Sequence, residues 1–170
     1  LKESFMEYYG FDADQAETAV EKYRERFRDT GIFENQIYEG AERLLQSLKE
    51  CGFILAIASS KPTEFVERIL DHFQIRNYFD NITGSYMDGR RTKKSEVIQA
   101  VLETLEITKK TEVLMVGDRH HDIEGARQMG IDSAGVSFGY GGREELETAG
   151  ATTVVDNFSN LEKFIIDKKL

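Results

Sequence analysis

Hydrophobic positions along the chain change their spacing near residue 52. Up to there they recur at helical intervals; beyond it, short apolar runs alternate with helical stretches. Residues 1–9 and 13–29 read as two helices broken by Gly10-Phe11, with Asp12 or Asp14 placed to cap the second. Ala16, Ala19, Val20, Tyr23 and Phe27 mark the apolar face of that second helix, and Thr30-Gly31 ends it. Residues 31–39 read as a linker, and Gly40 to Cys51 as a third helix with Leu44, Leu45 and Leu48 inward. Phe53 to Ala58 is a continuous apolar strand, and Pro62 suits the first turn of a helix running to about His72. A short strand follows from Phe79 to Thr83, then a helix from Thr92 to about Glu106. Glu112 to Val116 reads as a strand and about His121 to Met129 as a helix, with Gly130 as its C-cap. Ser133 to Ser137 is the next strand, Phe138 to Gly142 a glycine-rich loop, and Glu144 to Ala149 a short helix. Thr153 to Val155 and Leu161 to Lys168 complete the pattern as a strand and a closing helix.

Such alternation implies an α/β fold: a three-layer, Rossmann-like parallel sheet with helices on both faces. The helical start implies a small appended subdomain, with the boundary near residues 31–37. The expected division is therefore 1–35 for the helical part and 36–170 for the α/β core.

Composition narrows the possible partners. Lys and Arg total 22 against 31 Asp and Glu, for a net charge of −9, which argues against broad nucleic-acid or anionic-membrane binding. The single cysteine, Cys51, rules out an internal disulfide; its place before an apolar run suggests an inert packing thiol and cytoplasmic residence. No apolar run approaches the length of a membrane span. The chain opens at Leu1 in an already amphipathic pattern, which leads us to expect that a segment precedes it.

Candidate chemistry centres on Val113-Leu-Met-Val-Gly-Asp-Arg-His-His-Asp122. Asp118 would sit at the carboxyl end of a buried parallel strand, where open α/β sheets bind ligands, and Asp122 one helical turn on. Two acids so placed repel unless a magnesium ion or a lysine neutralises them. In isolation the pair would read as a helix cap. Ser59 and Ser60 follow the first strand just before a helix start, where hydroxyls and free backbone N–H groups can hold an anion. Arg90-Arg-Thr-Lys-Lys94 sets four cations at a helix start, against the helix dipole. Lys94 precedes the inward Val97 by three residues and is the functional candidate; Arg90 and Arg91 read as a solvated turn. Arg119 would stack on the rim or pair with Asp122. Three histidines in the whole chain, without a cysteine beside them, argue against zinc at His120-His121. The loop at 138–142 reads as flexible.

Taken in order, these motifs resemble the haloacid dehalogenase superfamily from its second motif onward, most closely its phosphoglycolate-phosphatase-like branch. Ala58-Ser-Ser-Lys-Pro62 resembles the second motif, Lys94 the third-motif lysine, and Val116-Gly-Asp-Arg-His-His-Asp122 the fourth. Tyr38-Glu-Gly-Ala-Glu-Arg-Leu-Leu45 resembles the return from a helical cap into the core. The first motif, Asp-x-Asp after a central strand, is absent; Asp12-Ala-Asp14 lies between helices and does not substitute. The resemblance implies Mg2+-dependent hydrolysis of a small phosphate monoester, such as phosphoglycolate or a nucleotide, through an aspartyl-phosphate whose Asp lies upstream. It implies Asp118 and Asp122 as metal-site residues, Ser59, Ser60 and Lys94 as phosphate contacts, and Ser59, Lys94 and Asp122 as catalytic. The residues 1–30 would close over the site, and this stretch without its first motif is expected to be inactive. A phosphomutase of the same superfamily, and a non-catalytic phosphate-binding scaffold, are the alternatives. Neither the substrate nor the oligomeric state is legible.

Overall fold

A computed structural model describes residues 2–168. They form two compact units, the first ending at Ile37 and the second beginning at Tyr38.

The first unit holds α1 (Lys2–Tyr9), α2 (Ala13–Asp29) and a 3-10 turn at Gly31–Phe33. Asp12 and Gln15 make a reciprocal capping box that starts α2 and satisfies two of its otherwise unpaired N–H groups. Ala16 and Val20 bury the inward stripe, together with Ile32. Tyr23, expected on that face, is 44% exposed and stacks on Phe27 instead. Arg26 grips Glu34 with both guanidinium nitrogens at 2.6 and 2.5 Å, tying α2 to the turn that follows it.

The second unit alternates strands and helices. Its elements are α3 (Ala41–Glu50), β1 (Ala56–Pro62), α4 (Thr63–His72), β2 (Asn81–Ser85), α5 (Lys94–Thr104), β3 (Leu114–Gly117), α6 (His120–Met129), β4 (Asp132–Val136), α7 (Gly142–Ala149), β5 (Thr153–Val155) and α8 (Phe158–Lys168). All ladders are parallel: β1 with β2, β3 with β4, and β4 with β5. Successive strand residues point to opposite faces and find different helices. Leu114 packs on the cluster of Leu44 and Leu48 from α3 with Leu161 and Ile165 from α8. Met115 packs on Ile98 and Leu102 of α5 with Ala126 of α6. In β1, Ile57 joins Val66 and Leu70 of α4, whereas Ala58 joins the α5 cluster. This is the expected layering of helices over both faces of a parallel sheet.

Two features differ from the sequence reading. The strands make two ladders, β1-β2 and β3-β4-β5, not one continuous sheet. Among the described residues β1 and β3 each have a strand partner on one side only, and α5 joins them by packing on Ala58 and Met115. The first strand also starts three residues later than its apolar run. Residue 55 is held by an aspartate rather than a ladder: Leu55 N–H donates to Asp80 Oδ2 at 2.8 Å, and Asp80 N–H donates to Leu55 O at 2.8 Å. At its other end β1 continues to Pro62 through a register shift between Ala58 and Pro62. Cys51, expected to be packed, is exposed because it lies at the C-cap of α3, beyond the last inward leucine. Among the described residues no helix is long and apolar enough to cross a membrane.

Candidate active site

Asp118 follows directly on Gly117, the last residue of β3, and the stretch after β4 wraps its carboxylate. Tyr140 N–H donates to Asp118 Oδ2 at 2.9 Å, and Gly141 N–H donates to the Asp118 carbonyl at 2.9 Å. The loop passes so close that a Cβ on Gly139 would lie 2.3 Å from the Asp118 Cβ. The 138–142 loop, expected to be flexible, is therefore tied to the first acid by two backbone hydrogen bonds. Asp118 Oδ1 takes no hydrogen bond among the described residues. A half-buried carboxylate with one oxygen fixed and one open is the hard donor that Mg2+ takes, so this residue fits such an ion.

Asp122 is buried and its oxygens are engaged. Oδ2 accepts the N–H groups of Asp118 and Arg119 at 3.2 Å each, capping α6 from its third residue. Oδ1 meets the Lys94 ammonium at 2.8 Å. The sequence reading placed Asp122 at the metal; the structure has its oxygens turned to a lysine and to the helix start. Gly117 permits this approach, because a Cβ there would fall 2.3 Å from the Asp122 Cβ.

Lys94 opens α5, where a cation opposes the dipole, but its ammonium does not stay at the helix end. It donates to the Ala58 carbonyl at 2.8 Å while pairing with Asp122. With side chains 13% and 11% exposed, Lys94 and Asp122 form a buried pair, whose rupture from one side costs about 3–5 kcal/mol. Lys94 thus joins the end of β1, the start of α5 and the start of α6.

Ser59 and Ser60 lie in the irregular stretch of β1 directly after Ala58. The Ser59 hydroxyl accepts Lys61 N–H at 3.1 Å; Ser60 is exposed. Lys61 is half-buried, and burial lowers its ammonium pKa. Arg90 and Arg91 part company. Arg90 pairs with Asp88 at 2.8 Å with its side chain 73% exposed, as a solvated turn would. Arg91, read as equally solvated, instead donates through Nε and Nη2 to the Gly84 carbonyl at 3.0 and 2.7 Å. A carbonyl at the end of β2 needs a donor once its ladder stops, and the fork supplies two.

At the start of α6, Arg119 pairs with Glu145 of α7 at 2.8 Å rather than with Asp122. The same Glu145 oxygen accepts His120 N–H at 2.8 Å and lies 2.8 Å from His120 Nδ1. Arg119 first, then the His120 backbone and ring, lower the Glu145 carboxyl from 4.5 to about 2.

The structure therefore brings Ala58-Ser59, Lys94, Asp118 and Asp122 to one end of the strands through a chain of hydrogen bonds and an ion pair. What the sequence reading passed over is the support: Tyr140 and Gly141 on Asp118, Glu145 on α6, and Arg91 on β2. The clustered glycines at 139, 141 and 142 were a signal for a close backbone approach, while Glu145 gave none, since its partner is 26 residues away.

Comparison with known proteins gives the following. The family model described as haloacid dehalogenase-like hydrolase matches residues 1–136. A 5'-nucleotidase of Pseudomonas aeruginosa is 42% identical over 146 residues, covering 86% of this chain and 66% of that protein. The tyrosine-protein kinase PtkA of Mycobacterium tuberculosis is 35% identical over 150 residues, covering 88% of this chain and 51% of that protein. The crystal structure of a predicted phosphatase from Clostridium acetobutylicum superposes with a TM-score of 0.90 at 46% identity, covering 98% of this chain and 77% of that one. The chain thus spans between about half and two thirds of the length of these two curated relatives.

Proposed function

Because the chain belongs to the haloacid dehalogenase-like hydrolase family, we propose that it forms most of a phosphatase acting on a small phosphate monoester. The observation that carries this reading is the Lys94 ammonium, held between the Ala58 carbonyl and Asp122, whose other oxygen accepts the Asp118 N–H. That arrangement fixes one positive charge and one available carboxylate in the same small region, as a transferring phosphoryl group requires.

In this mechanism Asp118 would hold Mg2+, which supplies charge neutralisation at the phosphoryl oxygens. Ser59 and the exposed Ser60 donate to phosphate oxygens. Lys94 neutralises charge on the phosphoryl group and on the attacking carboxylate. Asp122 acts as a positioning residue: it orients Lys94 and, through the Asp118 and Arg119 N–H groups, fixes the turn that carries Asp118. The attacking carboxylate comes from outside the described residues, on a further parallel strand paired with β1 and β3. Their one-sided ladders and the exposure of Val116, 38% on a strand that an α/β sheet normally buries, support that placement. The carboxylate oxygen attacks phosphorus as the bond to the ester oxygen breaks, the leaving alkoxide takes a proton from solvent, and water then hydrolyses the aspartyl-phosphate, releasing inorganic phosphate and restoring the carboxylate. The helical unit ending at Ile37 is assigned to the cap that selects the leaving group, and the unit from Tyr38 to the core. The similarity to a protein named 5'-nucleotidase makes nucleoside monophosphates the first substrates to test.

The test is phosphate release from a panel of monoesters by the whole protein, with Mg2+ and with chelator. Asp118→Asn should lower Mg2+-dependent turnover at least about 100-fold while the fold, followed by circular dichroism, is kept. Near-wild-type turnover in that variant would remove Asp118 from the reaction.

A further inference from the structure

Beside the site described above, the first turn of α6 carries a second group of ligating side chains. His120, His121 and Glu124 each offer one ligand atom, and these atoms lie within 4.8 Å of one another. The spacing follows from the helix: residues 120 and 124 are four apart and residues 121 and 124 three apart, so all three share one face. The two imidazole rings are tilted by 47° to one another with centroids 3.8 Å apart.

Two further features set this group apart from an ordinary surface cluster. Glu145 reaches across from α7 to within 2.8 Å of His120 Nδ1; a carboxylate can only accept there, so a neutral ring keeps its proton on Nδ1 and has Nε2 as its ligating nitrogen. A carboxylate holding the far nitrogen of a histidine is the usual support of a metal-bound imidazole. His120 and Glu124 also line a surface recess with Glu144 and Glu145, which puts three carboxylates on its wall.

The sequence argued against zinc at His120-His121 for want of a cysteine; with Glu124 supplying the third donor instead, we propose that His120, His121 and Glu124 form a binding site for a borderline transition-metal dication of the Zn2+ type, separate from the Asp118 carboxylate. The donor set is two imidazole nitrogens and one carboxylate oxygen. It suits Zn2+, Co2+ or Ni2+ and discriminates against Mg2+, which prefers an all-oxygen shell. Three protein ligands leave a position for water or a small anion. Tetrahedral coordination needs donor atoms about 3.3 Å apart, so modest rotation of the exposed His121 closes the set. The proposal does not depend on the phosphatase reading.

The experiment is a calorimetric titration of the whole protein with Zn2+ in excess Mg2+, repeated with Co2+ while recording visible absorption. One-to-one binding is expected, with a Co2+ spectrum of nitrogen-oxygen coordination. His121→Ala and Glu124→Gln should each weaken Zn2+ at least tenfold, and Asp118→Asn should leave it within twofold. His121 is exposed, so its replacement should leave the circular dichroism melt unchanged in the absence of metal. The proposal is overturned by absent Zn2+ binding, by binding that survives either replacement, or by binding lost in Asp118→Asn, which would put the ion at the other carboxylate.

Discussion

Lys94 is the residue whose loss should be felt in two ways at once. Its ammonium satisfies a backbone carbonyl and a buried carboxylate, and Lys94→Ala would leave both without their partner. We expect about 3 kcal/mol of lost stability by urea denaturation, together with a fall in turnover far larger than that of Arg90→Ala. Arg90, 73% exposed, paired with Asp88 and lying over the Tyr86 ring, should change stability by less than about 1 kcal/mol. Equal effects of the two substitutions would return Lys94 to the solvated turn. Residue spacing made Lys94 stand out, because an inward-facing helix gave it a direction. It left open whether a metal or a lysine meets Asp122, because a carboxylate one turn into a helix can face either way until the neighbouring helix is placed; the structure pairs it with Lys94. Arg91 was misread for a related reason: its acceptor is a carbonyl at the end of β2, and backbone acceptors leave no mark in a sequence.

At the scale of elements, the junctions are set by single side chains. Asp80 fastens the start of β1, taking Lys49 Nζ at 2.8 and 2.7 Å and Leu55 N–H at 2.8 Å. Lys49 first, then that N–H group, pull the Asp80 carboxyl below its ordinary 3.8. A carboxylate whose folded value is depressed stabilises the native state above its unfolded value and loses that contribution as pH falls through the folded one. Thermal melts should therefore show Asp80 supporting the fold at neutral pH, with that support declining as pH falls below 3.8 and through the lower folded value, and Asp80→Asn should flatten that part of the profile. A profile unchanged by Asp80→Asn would mean that the contact carries no weight. The loop after β4 is the other junction. Gly139→Ala brings a methyl carbon to 2.3 Å from Asp118 Cβ, and should cost turnover more than tenfold with a melting temperature only slightly lowered. Element types and order were readable from periodicity, and so was Gly130 as the end of α6, where it adopts a left-handed φ of 68°. Element ends were less so. The apolar run at 53–58 includes residues that pack without pairing, since hydrophobicity records burial while a strand boundary depends on where its partner begins.

For the whole molecule, the fold leaves one side of β1 and one side of β3 without a strand partner among the described residues. In a parallel ladder successive amides of a strand point to alternate sides. Hydrogen exchange on this chain alone should therefore find alternate amides of β1 and β3 exchanging fast, and β4, paired on both sides, protected along its length. In the whole protein the fast set should become slow if a further strand occupies that place; unchanged exchange would count against it. The layered α/β arrangement was legible because strand and helix periods alternate so regularly. The break into two ladders was not, because periodicity identifies strands without saying which are neighbours.

The wrapping of Asp118 by the stretch from Gly139 to Gly141 carries a consequence for how this chain can vary. Surface turns normally absorb inserted or enlarged residues. Here a single added atom meets Asp118, so a library of random insertions should recover survivors at the turn around Asp88-Gly89 and almost none between 139 and 141. A solvent-facing bend would then prove as intolerant as the interior.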